Sequence, residues 1–247
     1  MRIIQITDLH IGLAGEDTFG VDVRANFLKI LEEAKKLNPA QLIISGDFCY
    51  RDPKEEIYEW IRPHLDRSGM NYTFISGNHD EPLMLAKAFG REQQLVGEEY
   101  YYLDQWEEWP VLFLDTTTGY LSEQQLQWLK KQFEELSGPI IVFMHHPPMA
   151  SGVPYMDAKH GLKNREEVMF LFNQYSGDIN VFCGHYHVEK VLKSRNILLH
   201  ITPSCFFQLN QYQQEFELDH HRIGMRVITL ESDRLMSTVH YFEGETL

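Results

Sequence analysis

Five short runs of polar, metal-ligating residue types could carry chemistry in this chain: Asp8-Leu9-His10, Gly46-Asp47, Gly77-Asn78-His79-Asp80, His145-His146-Pro147-Pro148 and Gly184-His185-Tyr186-His187. Alone, each has an ordinary explanation. Asp8-Leu9-His10 reads as a turn after a strand, His145-His146-Pro147 as a loop and His185-Tyr186-His187 as exposed strand alternation, while Gly77-Asn78-His79-Asp80 is the most specific fragment. Counting one oxygen each from Asp8, Asp47 and Asn78 and the imidazoles of His10, His145, His185 and His187, with no thiolate among them, they offer a donor set suited to borderline divalent ions such as Mn, Fe, Zn or Co. Seven protein ligands are too many for one ion. Shared between two ions through one bridging carboxylate, they give four contacts each and leave room for a bridging solvent, the layout of a two-metal phosphoryl-transfer site.

The elements that must position these runs are strands. Apolar stretches at Ile3 to Thr7, Gln41 to Ser45, Tyr72 to Ser76, Ile140 to Met144 and Ile179 to Cys183 each lead directly into one of the five. Loops beyond the carboxyl ends of strands are where α/β sheets bind ligands, so the five can converge on one point. Gly46, Gly77 and Gly184 stand between strand and ligand-type residue, where a tight turn or close backbone approach is needed. Further strands are expected at Val111 to Asp115, Ile197 to Thr202, Met225 to Leu230 and Leu235 to Phe242.

Between the strands lie helical periodicities. Val23, Phe27, Ile30, Leu31, Ala34 and Leu37 share one face up to Asn38-Pro39; Ser122 and Gln125 read as a capping box before Leu126, Leu129, Phe133 and Leu136; Asn164 and Glu167 open a third helix. A helix from Pro53 with Ile57, Trp60 and Ile61 inward is expected to break or kink at Pro63. Strands alternating with helices over the first ~185 residues make an α/β domain, and the last fifty residues are strand-rich. Residues 1–247 read as a single domain without linker or repeat. Residues 206–224 interrupt its C-terminal strands as a surface loop, with a substrate cap or a dimer contact as the alternatives.

Composition bounds the partners. A formal charge of −14 across 247 residues opposes a phosphate backbone, so no general nucleic-acid binder is expected. The apolar runs are far short of the ~20 residues that cross a bilayer, and Arg2-Ile3-Ile4-Gln5-Ile6 at the N-terminus is a strand with no signal-peptide pattern. No membrane partner and a cytoplasmic location follow, and the odd set Cys49, Cys183 and Cys205 fits a reducing compartment. Homo-oligomerisation is left open.

The ordered set Asp-x-His, Gly-Asp, Gly-Asn-His-Asp, His-His-Pro and Gly-His-x-His resembles the calcineurin-like metallophosphoesterase superfamily over nearly the whole chain. Within it, the sequence is most similar to bacterial class III cyclic-nucleotide phosphodiesterases and their glycerophosphodiesterase relatives. The supporting residues are Met156-Asp157, Thr202-Pro203-Ser204 and Gly224-Met225-Arg226. The resemblance implies a four-layer α/β/β/α sandwich with two mixed sheets and two divalent ions. It implies that Asp8, His10, Asp47 and His187 bind one ion and Asp47, Asn78, His145 and His185 the other, with Asp47 bridging. It also implies that His79 contacts the phosphate and protonates the leaving oxygen, and that His146 lies outside the ligand set. His146, His160 and Asn164 are the candidate substrate contacts, the latter two with loop and helix-cap roles as alternatives. Asp80 either orients His79 or serves as a turn or capping carboxylate. Phe48-Cys49-Tyr50-Arg51-Asp52 and Cys205-Phe206-Phe207 depart from the family's usual residues, and the second departure predicts a more apolar substrate pocket.

The expected reaction is hydrolysis of a small soluble phosphodiester, foremost 3′,5′-cyclic AMP or a similar cyclic nucleotide, by a metal-bridging hydroxide. An imidazole with a pKa near ~6.5 suits proton donation to the departing alkoxide at neutral pH. A glycerophosphodiester substrate is the alternative within the class. A nuclease is disfavoured by the missing Lys/Arg stripe, and a non-catalytic scaffold on the same fold by the intact ligand set and His79.

Overall fold

The apolar runs pair into two mixed sheets in the computed structural model, which describes residues 1–232 and 234–247. One sheet orders the strands Leu235–Phe242, Ile223–Leu230, Arg2–Ile6, Gln41–Ser45 and Tyr72–Ile75, the last three mutually parallel. The other orders Lys190–Ser194, Ile197–Ile201, Ile179–Cys183, Ile140–Met144, Trp109–Leu114 and Tyr102–Trp106, with the middle four parallel.

The strands carry apolar side chains on both faces because both faces are covered. Ile3, Ile43, Ile75 and Ile228 of the first sheet pack with Val111, Phe113, Ile141, Phe143 and Phe182 of the second, forming the interior between sheets. The alternate residues Ile4, Ile6, Leu42 and Ile44 turn outward and join the helix residues Phe27, Ile30 and Ile61; Val142 and Met144 join Leu129, Val168 and Phe172. Helices Val23–Lys36 and Glu55–Ser68 make the crossovers of the first sheet, and Glu123–Glu135 and Arg165–Phe172 those of the second. The expected α/β architecture, two mixed sheets with helices on their outer faces, is the one found. Among the described residues no helix is long and apolar enough to cross a membrane.

Local departures have physical reasons. The Glu55–Ser68 helix runs through Pro63, whose ring is exposed, so the carbonyl it frees at Glu59 meets water. The capping box at Ser122 forms by half. Ser122 Oγ accepts from Gln125 N at 3.1 Å, but the Gln125 side chain, which should reach back to Ser122, instead bridges the buried main chain of Asp115. Asn164 caps nothing; its amide pairs with both N–H and C=O of Leu121. Two short helices, Pro82–Phe89 and Pro154–Lys159, and the edge strands Tyr102–Trp106 and Lys190–Ser194 went unforeseen. Within residues 206–224, Gln208–Leu209 pairs antiparallel with Leu218–His220, and Leu209 N donates to His187 O at 2.9 Å.

Candidate metal centre

Five parallel strands deliver the polar runs from their carboxyl ends. Asp8 and His10 follow Arg2–Ile6, Asp47 follows Gln41–Ser45, and Asn78 and His79 follow Tyr72–Ile75; from the facing sheet, His145 follows Ile140–Met144 and His185 and His187 follow Ile179–Cys183. Backbone hydrogen bonds stitch the loops together: Asp8 N to Gly46 O and His10 N to Asp47 O, each 3.0 Å, and Gly184 N to His145 O at 3.1 Å. Asp8, His10, Asp47, His185 and His187 all adopt left-handed backbone, with φ between 46° and 67°. Such conformations cost energy in non-glycine residues and persist where the surroundings over-determine them.

The side chains converge in two buried triads, Asp8 with His10 and His187, and Asp47 with His145 and His185; each offers ligand atoms within 4.8 Å of one another. Asp47 Oδ2 lies between them, 3.2 Å from His145 Nε2 and 3.6 Å from His10 Nε2, while its Oδ1 accepts the backbone N–H of His79 at 2.9 Å. Asp8 accepts the N–H of His185 and stands 3.4 Å from His187 Nε2. Main-chain carbonyls hold the other nitrogens of three rings: Ser45 O takes His145 Nδ1 at 2.8 Å, His160 O takes His185 Nε2 at 2.9 Å and Phe207 O takes His187 Nδ1 at 3.1 Å. That arrangement fixes the tautomers and aims the remaining nitrogens inward.

Electrostatics match a cation site. Burial works to raise the Asp8 and Asp47 carboxyls, yet His187 and His145 bring Asp8 down to about 2 and His145 holds Asp47 well below the carboxylate range. Burial drives His10 and His185 down to about 3, so both rings are neutral. His145 Nε2 is buried without a hydrogen-bond partner, and His10 Nε2 faces His187 Nε2 at 3.0 Å. Two ionised carboxylates with converging imidazole nitrogens, those of His10 and His185 on neutral rings, are a donor set that fits divalent cations.

The other predicted site residues are placed as follows. Asn78 is exposed beside the cluster, and the His79 ring packs edge-on against His10 at 5.1 Å with its Nδ1 against Arg51 O at 2.7 Å. Asp80 does not touch that ring. Its carboxylate accepts from Phe48 N, Cys49 N, Gly77 N and Tyr58 Oη, so it pins the Asp47 and Asn78 loops together, and the orienting partner of His79 is Arg51 O. His146 is buried beside His185 with Nδ1 on Thr116 Oγ1. His160 reaches the cluster through its carbonyl, its ring Nε2 meeting Tyr155 Oη at 3.2 Å, and Asn164 is engaged by Leu121.

Two clefts meet at Asn78, His160 and His185. One, of about 360 Å³, opens over His10, Asp47, His79 and His187 and is walled by Phe19, Tyr50, Phe206, Phe207 and Phe216. Phe206 and Phe207 therefore make that pocket apolar, as their sequence suggests. Sequence reasoning missed Phe19 and Phe216, 5.9 Å apart between centroids, which come from loops with no motif. The other cleft, of about 460 Å³, is polar and carries Thr118, Lys163 and Arg165.

Glycine is obligatory where the loops touch. A Cβ on Gly184 would sit 2.0 Å from Thr7 Oγ1 and 2.6 Å from Asp8 Oδ2, and one on Gly77 would sit 2.1 Å from Asp47 Oδ1. Gly184→Ala is expected to displace Asp8, lowering metal affinity at least ~10-fold and stability by ~1–3 kcal/mol. Metal titration and thermal melting check this; wild-type values in both would show that the close approach is dispensable.

A family profile described as calcineurin-like phosphoesterase matches residues 1–189. A protein of Fibrobacter succinogenes named probable cyclic nucleotide phosphodiesterase is 28% identical over 244 residues, covering 99% of this chain and 94% of the relative. A probable glycerophosphodiester phosphodiesterase of Arcobacter nitrofigilis is 28% identical over 211 residues, covering 81% and 77%. Among solved structures, a dimetal phosphatase from Danio rerio superposes with a TM-score of 0.74 at 14% identity, covering 100% of this chain and 97% of that one, a likeness of fold.

Proposed function

The chain belongs to the calcineurin-like phosphoesterase family and is a phosphoric diester hydrolase, and from that premise we propose that it cleaves a cyclic nucleotide, 3′,5′-cyclic AMP foremost. The observation that carries the substrate class is the aromatic pocket over the candidate metal centre, a wall of aromatic side chains that suits a planar base. The naming of the Fibrobacter succinogenes relative supports the same reading.

In this reading Asp8, His10, Asp47 and His187 would hold one divalent ion, and Asp47, Asn78, His145 and His185 the second. When bound, the pair supplies Lewis acidity toward the phosphoryl oxygens and a nucleophile from water at neutral pH. Asp47 would be the residue shared between the two ions; its Oδ1 accepts the His79 N–H, and its Oδ2 faces His145 Nε2 and His10 Nε2. The His79 Nδ1–H donates to Arg51 O, which turns Nε2 toward the pocket, where it hands a proton to the leaving alkoxide. Tyr50, Phe19 and Phe207 orient the base and exclude water from the reacting phosphorus.

The second reading, a glycerophosphodiester, has the Arcobacter nitrofigilis relative in its favour. Metal-loaded protein assayed on cyclic AMP, glycerophosphoglycerol and an aryl monoester separates the two. Phe19→Ala removes a half-exposed ring and is expected to raise KM for cyclic AMP roughly 10-fold, since stacking on one base is worth ~1–3 kcal/mol, with metal content unchanged. Equal losses on cyclic AMP and glycerophosphoglycerol would remove the base from the pocket. Monoester preference would overturn the diesterase assignment, and bound metal without turnover would favour the scaffold.

A further inference from the structure

The polar cleft has a charge at odds with the molecule around it. The chain carries −14, yet this cleft presents Lys163 and Arg165, neither of which forms an ion pair among the described residues. Lys163 Nζ donates to Thr118 O at 3.4 Å and lies over the Tyr120 ring at 4.7 Å; Arg165 Nη1 donates to the carbonyl of Asp157 at 3.4 Å. The third cation of the lining, Lys159, is already paired with Glu215 at 2.6 Å. The one carboxylate of the lining, Asp157, faces four donors of its own: Ser151 N, Gly152 N, Val153 N and Tyr186 Oη. Lys163 and Arg165 against the single Asp157 carboxylate leave the lining net positive, in a cleft that joins the candidate metal centre at Asn78 and His185. A concave site with an excess of one sign concentrates the opposite sign, and Arg with Lys is the side-chain pair that takes phosphate oxygens.

We propose that Lys163 and Arg165 form a subsite for a second phosphate on the substrate, so that the same centre also cleaves linear dinucleotides bearing a 5′-terminal phosphate. This rests on the diesterase reading above. The terminal phosphate lies in the cationic cleft, the internal diester at the metal centre and the downstream base against the aromatic wall. Hydrolysis consumes one water: a bond from the water oxygen to the internal phosphorus forms, the bond from that phosphorus to the ribose 3′ oxygen breaks, and the alkoxide takes its proton from His79. Two nucleoside 5′-monophosphates leave.

The test compares pApA with ApA, and the binding of adenosine 3′,5′-bisphosphate with that of adenosine 3′-monophosphate, by metal-loaded protein. Wild type is expected to prefer the doubly phosphorylated member of each pair at least ~10-fold, in kcat/KM and in Kd respectively. The exposed substitution Lys163→Met and the pair Lys163→Met/Arg165→Gln should bring both preferences toward one while cyclic AMP turnover and metal content stay at wild-type levels. Turnover of diesters with no preference for the terminal phosphate, or a preference that survives both variants, overturns the subsite. A calorimetric preference that the variants abolish, in a protein that turns over no diester, would instead retain the subsite and overturn the diesterase reading.

Discussion

Asp47→Asn is expected to bind fewer than two divalent ions per chain and to lose at least ~10³-fold in kcat, because the Lewis-acid contribution of such a centre is worth several kcal/mol and each ~1.4 kcal/mol is tenfold. The geometry makes the isosteric change severe. Asp47 Oδ1 accepts the His79 N–H at 2.9 Å, and an amide can keep that bond only by leaving its oxygen there. Its NH2 must then take the position of Oδ2, directing two donor protons at the space between His10 Nε2 and His145 Nε2, where the carboxylate stood 3.6 and 3.2 Å away. The carboxylate proposed as the bridge becomes a hydrogen-bond donor facing the candidate metal centre. The change also removes the charge that counters burial at His145, whose imidazole Asp47 helps push up to about 9 in the metal-free protein. Metal analysis by atomic emission, with turnover at saturating metal, reads the outcome. Two ions per chain and activity within tenfold of wild type would take the bridge away from Asp47.

The centre was legible because its residue types are costly anywhere else. A buried Asp or His without partners is rare, so five runs of them at strand ends already imply a shared occupant. The strands were legible for a related reason: Ile3 and Ile4 bury opposite faces, one between the sheets and one under a helix, which produces an unbroken apolar run. What failed to show is what depends on tertiary direction. His79 and Asp80 are adjacent in sequence, and adjacency suggests that the carboxylate orients the ring. In the turn they diverge, Asp80 inward to four donors and His79 outward to Arg51 O. Likewise Gln125 has the right spacing for a capping box but finds a better-buried partner in the Asp115 main chain. The aromatic wall is built from positions 19, 50, 206, 207 and 216, whose separation in sequence leaves no period or motif to detect. The left-handed backbone at Asp8 and Asp47 is equally silent in sequence, since Asp, though several-fold enriched there, adopts it in only a minority of its positions.

His79→Ala should divide the chemistry from the metal. The backbone N–H that holds Asp47 Oδ1 survives the substitution, so both ions are expected to stay bound, while the ring that faces the pocket is lost. Arg51 O, at the exposed end of the His79 ring, exchanges the imidazole for water at little cost. Loss of a general acid typically lowers turnover by ~10²–10⁴, and the loss depends on how much the leaving group needs a proton. With cyclic AMP the ribose 3′ oxygen departs as an alkoxide, and kcat should fall by the full amount. With bis(p-nitrophenyl) phosphate a stabilised p-nitrophenolate departs, and kcat should fall far less, with KM little changed. That contrast is a signature a merely structural role cannot produce, since a disturbed loop would slow both substrates alike. Equal losses on the two substrates would remove His79 from the proton-transfer step and leave Nε2 as a phosphate contact, and full activity on cyclic AMP in a protein carrying two ions would leave the ring no part in the reaction.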